Sequence, residues 1–278
     1  MTILDEIAAK TRLRAEQAKK TFPLEEIRKA VASLTGNTLN AKGLGPKDWG
    51  LGAVEALPFE CALKKPGLSF ICEVKKASPS KGVIAEDFPW LEIAKEYEAA
   101  GADAVSVLTE PDYFLGRDQY LREIAGAVSI PALRKDFTID PYQIYEAKYL
   151  GAGAVLLICA LLPAETLKSY ITIAEELELS ALVEAHTEAE IEQAVEAGAR
   201  IIGINNRNLK NFAVDIEACA KLRSHIPPHI VTVSESGIQS AEDVRVLNGM
   251  GFNAVLIGES IMRSADKTQF LKDLKSLI

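Results

Sequence analysis

The stretch FICEVKKASPSKG, Phe70 to Gly82, decides how the rest of the chain is read. At the two-residue period of a strand, Ile71, Glu73 and Lys75 leave one face, and Cys72, Val74 and Lys76 leave the other. An acid and a base one pleat apart on a shared face are costly in a core unless they are paired or used. Ser78-Pro79 follows directly, forbids a helix and opens a loop. By itself the run describes equally well a catalytic strand end and a strand fraying into a solvated turn. The surrounding chain separates the two.

Downstream of residue 68 one cadence repeats: a helical pattern closes at glycine, one or two small residues follow, and an apolar strand begins. It is visible in EAAGADAVSVL, YLGAGAVLLI, VEAGARIIGI and MGFNAVLIG. Glycine at the position after a helix takes the left-handed conformation without a Cβ penalty. Gly101, Gly151, Gly198 and Gly251 recur about every 50 residues, or two strand–helix units. The pattern predicts strands at 69–75, 103–109, 131–136, 154–159, 180–185, 200–205, 230–235 and 254–258, a parallel sheet covered by helices. Without a glycine-rich dinucleotide fingerprint after the first strand, the pattern favours a closed (β/α)8 TIM barrel over an open doubly wound sheet.

Upstream, residues 2–20 read as an amphipathic helix with Ile3, Leu4, Ile7, Ala8 and Leu13 on its apolar side. A weaker helical stretch follows Pro23, and 35–52 gather Gly, Asn and Pro as a long surface connection does. Neither piece has a core of its own. The expectation is therefore one barrel domain over 1–278, with 1–66 as an α-helical N-terminal extension packed on it.

Composition removes several classes. In 278 residues, 48% hydrophobic and 25% charged describe an ordinary globular chain, and a net charge of -8 argues against nucleic acid or an anionic membrane as partner. Four scattered cysteines and an N-terminus without an apolar run point to a reducing cytoplasm. No apolar stretch is long enough to span a membrane, and the three histidines lack metal-ligand spacing. Neither a metal, a disulfide nor an obligate protein partner is expected.

In such a barrel the functional groups belong at the C-terminal strand ends, facing inward. There the sequence replaces apolar residues by polar ones on five strands: Glu73 and Lys75, Lys135 between Leu133 and Phe137, Glu184 after Leu182, Asn205 and Arg207, and Glu235 after Val233. Any one of these could be a structural ion pair; convergence from five strands favours a site. The loops SESGI and LIGES set Gly237 and Gly258 at strand ends just before helical runs, where backbone N–H groups can cradle phosphate. Glu259 fits that place through its backbone, with its side chain expected to turn to solvent.

The motifs CEVKKASPSKG, LRKDF, LVEAH, GINNRNL, VSESGI and LIGES, in this order and spacing, resemble the indole-3-glycerol phosphate synthases from the first helix to the last. Two departures are Trp90 in DFPWLEIA, where Phe-Asp-Pro is more usual, and Asn208, where aspartate is common. The resemblance implies ring closure, decarboxylation and dehydration of 1-(2-carboxyphenylamino)-1-deoxy-D-ribulose 5-phosphate, with no cofactor. It casts Lys135 as the acid meeting the ribulose oxygen, with partial burial expected to lower its pKa. Glu184, helped by Asn205, works on the hydroxyl, and Lys75, held by Glu73, grips the carboxylate or phosphate. Glu235 and Ser236 bind ribulose hydroxyls or orient Lys75, and Arg207 orders the site through a salt bridge. Ser78, Ser236, Gly237, Gly258 and Glu259 take the phosphate, and Phe114, Leu133, Phe137, Leu156, Ile158 and Leu209 the aromatic ring. Division of labour between Lys75 and Glu184 stays open. Two other readings also stay open: another phosphate-binding barrel such as a phosphoribosyl isomerase, and a non-catalytic barrel, although the latter would be expected to lose one of Glu73, Lys75 or Lys135.

Overall fold

The computed structural model describes residues 2–34, 56–207 and 216–278. The connection expected at 35–52, Asn208 and Leu209 lie outside them. Eight parallel strands form a closed barrel: β1 Ser69–Val74, β2 Ala104–Leu108, β3 Ala132–Lys135, β4 Ala154–Ile158, β5 Ser180–Ala185, β6 Ile201–Asn205, β7 Val231–Glu235 and β8 Ala254–Ile257. Each strand pairs with its sequence neighbour, and β1 closes the ring on β8. Every expected strand is present to within one residue at each end. The helices that cover them are α4 Trp90–Ala99, α5 Asp118–Ala125, α6 Pro141–Tyr149, α7 Ala164–Glu176, α8 Glu188–Glu196, α9 Ile216–Arg223, α10 Ala241–Gly249, α11 Glu259–Arg263 and α12 Lys267–Lys275. The four cadence glycines follow α4, α6, α8 and α10 with φ between +77° and +91°, the left-handed stop that the sequence requires.

Alternation along the strands builds two cores. Phe70, Cys72 and Val74 face the helices, whereas Ile71 joins Leu133, Leu156, Leu182, Val233 and Leu256 inside the barrel. A charge at the next inward position of β1, β3, β5 or β7 is therefore delivered to the mouth.

Among the described residues three helices precede the barrel: α1 Ile3–Thr21, α2 Leu24–Leu34 and α3 Pro58–Leu63. The sequence reading assigns no helix to α3. Pro58 starts it, and Phe59 and Leu63, one turn apart and both fully buried, join the inner core at the N-terminal strand ends. They close the bottom of the barrel. α2 buries Ile27 and Val31 completely, with Arg28 over the Tyr145 ring of α6 at 5.0 Å. α1 buries Ile7, Thr11 and Ala15, so Leu13 points to solvent at 73% exposure. That corrects the place of Leu13 in the apolar face expected of this helix: the buried stripe runs at i, i+4 and i+8 through a threonine, while Ile3, Leu4 and Ala8 are half-buried.

Candidate active site

The C-terminal strand ends open into a cavity of about 860 Å3. Of the residues singled out in the sequence, Glu73, Lys75, Ser78, Phe114, Lys135, Phe137, Leu156, Ile158, Glu184, Asn205, Arg207, Glu235, Ser236, Gly237, Gly258 and Glu259 line it. Leu133 does not. It lies one inward layer below Lys135, fully buried in the barrel core, because two residues along a strand separate successive layers on the same face.

Three buried carboxylates and two ammonium groups meet on one wall. Lys75 Nζ pairs with Glu73 Oε1 at 2.6 Å, and Lys135 Nζ lies 3.2 Å from both Glu184 Oε2 and Glu235 Oε2. Burial opposes charge on Lys135, but Glu235, Glu184 and Glu73 outweigh it, so its pKa is raised. The lowered pKa expected from the sequence is thus corrected: the partners that bury the lysine are anions. Burial likewise works against ionised Glu73 and Glu184, yet Lys75 and Lys135 hold the first, and Lys135, His186 and Asn205 the second, below the usual carboxylate range. Glu235 is the remaining acid. Burial, together with Glu184 and Glu73, pushes it up to about 7 against the pull of Lys135. The structure pairs Glu235 with Lys135 and not with Lys75, the partner considered from the sequence.

His186 and Asn206 stand inside quoted motifs without having been given a task. The His186 ring lies between Glu184 and Glu190, 3.4 Å from an oxygen of each. Burial lowers its affinity for a proton, but the two glutamates raise it more. Asn206 braces the turn after β7: its Nδ2 donates to Ser234 Oγ and to the Ser236 carbonyl, both at 3.0 Å. Ser236 needs such support, because it sits at φ +70° without being glycine.

Around the glycine turns the charge is mixed. Glu259 does not turn to solvent. Its carboxylate lies among Arg263 (3.2 Å), Lys81 (3.7 Å) and Arg207 (3.8 Å), because α11 and two loops bring three cations to one corner. Gly258 is the cap residue of α11, and a Cβ there would stand 2.4 Å from Glu73 Oε1 and 2.7 Å from Lys75 Nζ. A side chain there would push on that ion pair.

The opposite wall is apolar. Phe114 and Phe137 lie 6.1 Å apart between centroids, and Ile3, Leu4 and Ile7 of α1 add to them. The loop carrying Phe114 is held by the buried Glu110 carboxylate, which accepts from the N–H groups of Asp112, Tyr113 and Phe114 at 3.0, 2.7 and 3.1 Å. Arg14 joins α1 to this loop and to β3, pairing with Glu110 at 3.4 Å and Asp136 at 2.7 Å. Its partners are 96 and 122 residues away, so no local signal marked it. Trp90 faces away from the cavity, donating to Glu123 at 2.8 Å and packing on Tyr120; its departure from the usual motif is absorbed between α4 and α5.

Fold and site together define a barrel enzyme that handles a phosphorylated small molecule by acid–base chemistry. The family model for indole-3-glycerol phosphate synthase matches residues 52–274. The chain is 54% identical over 273 residues to the indole-3-glycerol phosphate synthase of Ruminiclostridium cellulolyticum, and 50% identical over 273 residues to that of Lacticaseibacillus paracasei, covering 98% of both chains in each case. It belongs to the indole-3-glycerol phosphate synthase family, lyases of tryptophan biosynthesis. Among solved structures, 3-hexulose-6-phosphate synthase from Salmonella typhimurium superposes with a TM-score of 0.63 at 15% identity, over 76% of this chain and 98% of that one. Thiamine phosphate pyrophosphorylase from Pyrococcus furiosus does so at 0.57 and 15%, over 76% and 94%. These two likenesses concern the fold alone. Among the described residues no helix is long and apolar enough to cross a membrane.

Proposed function

We propose that the five-charge cluster carries out the synthase reaction with Lys135 as its leading acid. The observation that carries this is the Lys135 ammonium, held between Glu184 and Glu235 at 3.2 Å and facing the cavity. The aromatic ring of the substrate lies against Phe114, Phe137, Leu156 and Ile158, with Ile3, Leu4 and Ile7 closing over it. Ser78, Ser236, Gly237, Gly258 and Glu259, the last two through backbone, hold the phosphate beside Arg207. As the ring carbon bearing the carboxylate attacks the ribulose carbonyl, Lys135 gives its proton to the oxygen, whose alkoxide is basic enough to take it from an ammonium kept charged. The new bond leaves an iminium nitrogen, which receives the electron pair of the carbon–carboxylate bond as CO2 departs.

Dehydration needs a second acid and a base. Lys135 has spent its proton, so the other ammonium on the wall, Lys75, supplies the proton with which the hydroxyl leaves as water. Glu184, kept ionised and hydrogen-bonded by Asn205, takes the proton lost as the indole becomes aromatic. The chain works as one domain, with residues 1–66 as an extension of the barrel, in the cytoplasm and without an obligate protein partner. The test is to mix the purified protein with the carboxyphenylamino-deoxyribulose phosphate and follow indole fluorescence, beside Lys135→Ala. Product from the parent protein and a loss of about three orders of magnitude in the variant are expected. Full activity in the variant removes Lys135 from its role; a folded parent that binds substrate without turnover defeats the catalytic reading.

A further inference from the structure

We infer that Gly203 is a positioning residue of the site: the side chain it lacks is the notch in which the Glu235 carboxylate is seated against Lys135. Gly203 lies on β6, in phase with inward-facing Ile201 below it and Asn205 above it. A Cβ built there would stand 2.1 Å from Glu235 Oε1, and 3.2 Å from both Glu235 Cδ and Leu182 Cδ1. A carboxylate in this place and a side chain at 203 exclude each other. The backbone does not ask for glycine, since Gly203 is within a regular strand and is not among the glycines of positive φ. Space is the reason that remains, and a glycine inside a strand marks such close approaches.

A second observation shows what the notch does. Glu235 Oε2 is tied to Lys135 at 3.2 Å, whereas Oε1 is buried and has no hydrogen-bond partner among the described residues. A carboxylate anchored through one oxygen can still turn about its last torsions. Packing must hold the other oxygen, which lies against the floor of the notch. A methyl group at 203 displaces the carboxylate from that floor, which loosens one of the two anions flanking the Lys135 ammonium. The inference rests on the role proposed for Lys135.

The test is a double-mutant cycle of Gly203→Ala with Glu235→Asp, whose carboxylate is retracted by one methylene, joined to a crystal structure of Gly203→Ala. Because the colliding atom ends a flexible side chain, Gly203→Ala is expected to fold, with Glu235 moved off Lys135 in the crystal, kcat lowered about tenfold or more, and KM changed less than about threefold. On the Glu235→Asp background the added methyl is expected to change kcat less than about twofold, the non-additivity of groups in contact. An unmoved Glu235, an unchanged kcat, or the same loss on both backgrounds overturns the inference. Should Gly203→Ala not fold, Gly203→Ala/Glu235→Ala decides: recovery of folding supports the notch, and continued failure overturns it. The crystal structure reads the displacement without turnover, so failure of the catalytic reading and failure of the notch are told apart.

Discussion

Arg134 and Lys135 are neighbours on β3, both cationic and both largely buried, yet they enter opposite sides of the barrel wall. Arg134 faces the helices, where Asp118 at 2.9 Å and Glu146 at 2.7 Å share Nη2, the Gln143 carbonyl takes Nη1, and Thr109 takes Nε. Every nitrogen of its guanidinium is bonded. Lys135 faces the cavity, beside two carboxylates on one nitrogen and a third nearby, within a cluster that carries one more acid than base and one carboxylate oxygen without a partner among the described residues. A saturated network has nothing left to offer a ligand and can only hold the fold. An unsaturated one retains charge and proton capacity for chemistry. The same strand supplies both because its period of two separates adjacent side chains.

The sharpest break in this comparison is Lys135→Ala, in which the loss of about three orders of magnitude in turnover should come with a smaller loss of stability than at Arg134, because the carboxylates left behind border the cavity and can take up protons or water there. Arg134→Met should do the reverse. Removing one partner of a buried ion network costs about 3–5 kcal/mol, read by chemical denaturation, while kcat of the folded fraction stays near that of the parent. A Lys135 variant that unfolds, or an Arg134 variant that is stable but inactive, would erase the distinction. Deleting residues 1–20 probes the seam between the two networks, since Arg14 reaches Asp136 behind the wall while Ile3, Leu4 and Ile7 line the cavity in front. Loss of apolar contact with the substrate should raise KM by about tenfold or more, and unaltered kinetics in a folded truncation would refute it.

The smallest effect sharpens the comparison through pH. Glu235 binds its proton more tightly folded, at about 7, than an ordinary glutamate does at 4.5. Its contribution to stability is therefore present at low pH and falls as pH rises through that interval. Glu235→Gln mimics the protonated form, so the melting temperature of the parent should drop relative to the variant between about pH 5 and pH 8. A constant difference across that range would mean that the surplus carboxylate is not where the proton resides.

Much of this arrangement could be read locally. The helix-closing glycines and two-sided apolar strands announced the barrel, and phase alone assigned Glu73, Lys75, Lys135, Glu184 and Glu235 to one interior. What escaped had no local signature. α3 is only six residues long, and Phe59 looks like any core phenylalanine until it is found beneath the barrel. Arg14 resembles its charged neighbours on α1 until Glu110 and Asp136 come within reach. The pairing of Glu235 with Lys135 and the low-lying notch at Gly203 arise between strands, where sequence distance says nothing about spatial distance.

By itself the sequence determined the eight strands, their inward and outward faces and the family, because these follow from the short-range periods of the chain and from motifs contiguous within it. Tertiary structure decided which acid meets which base, which residues plug the bottom, and how each proton affinity moves. Those depend on ångström separations between strands and on the water excluded there, and a charge changes its chemistry over distances far shorter than the chain takes to bring its partner around the barrel.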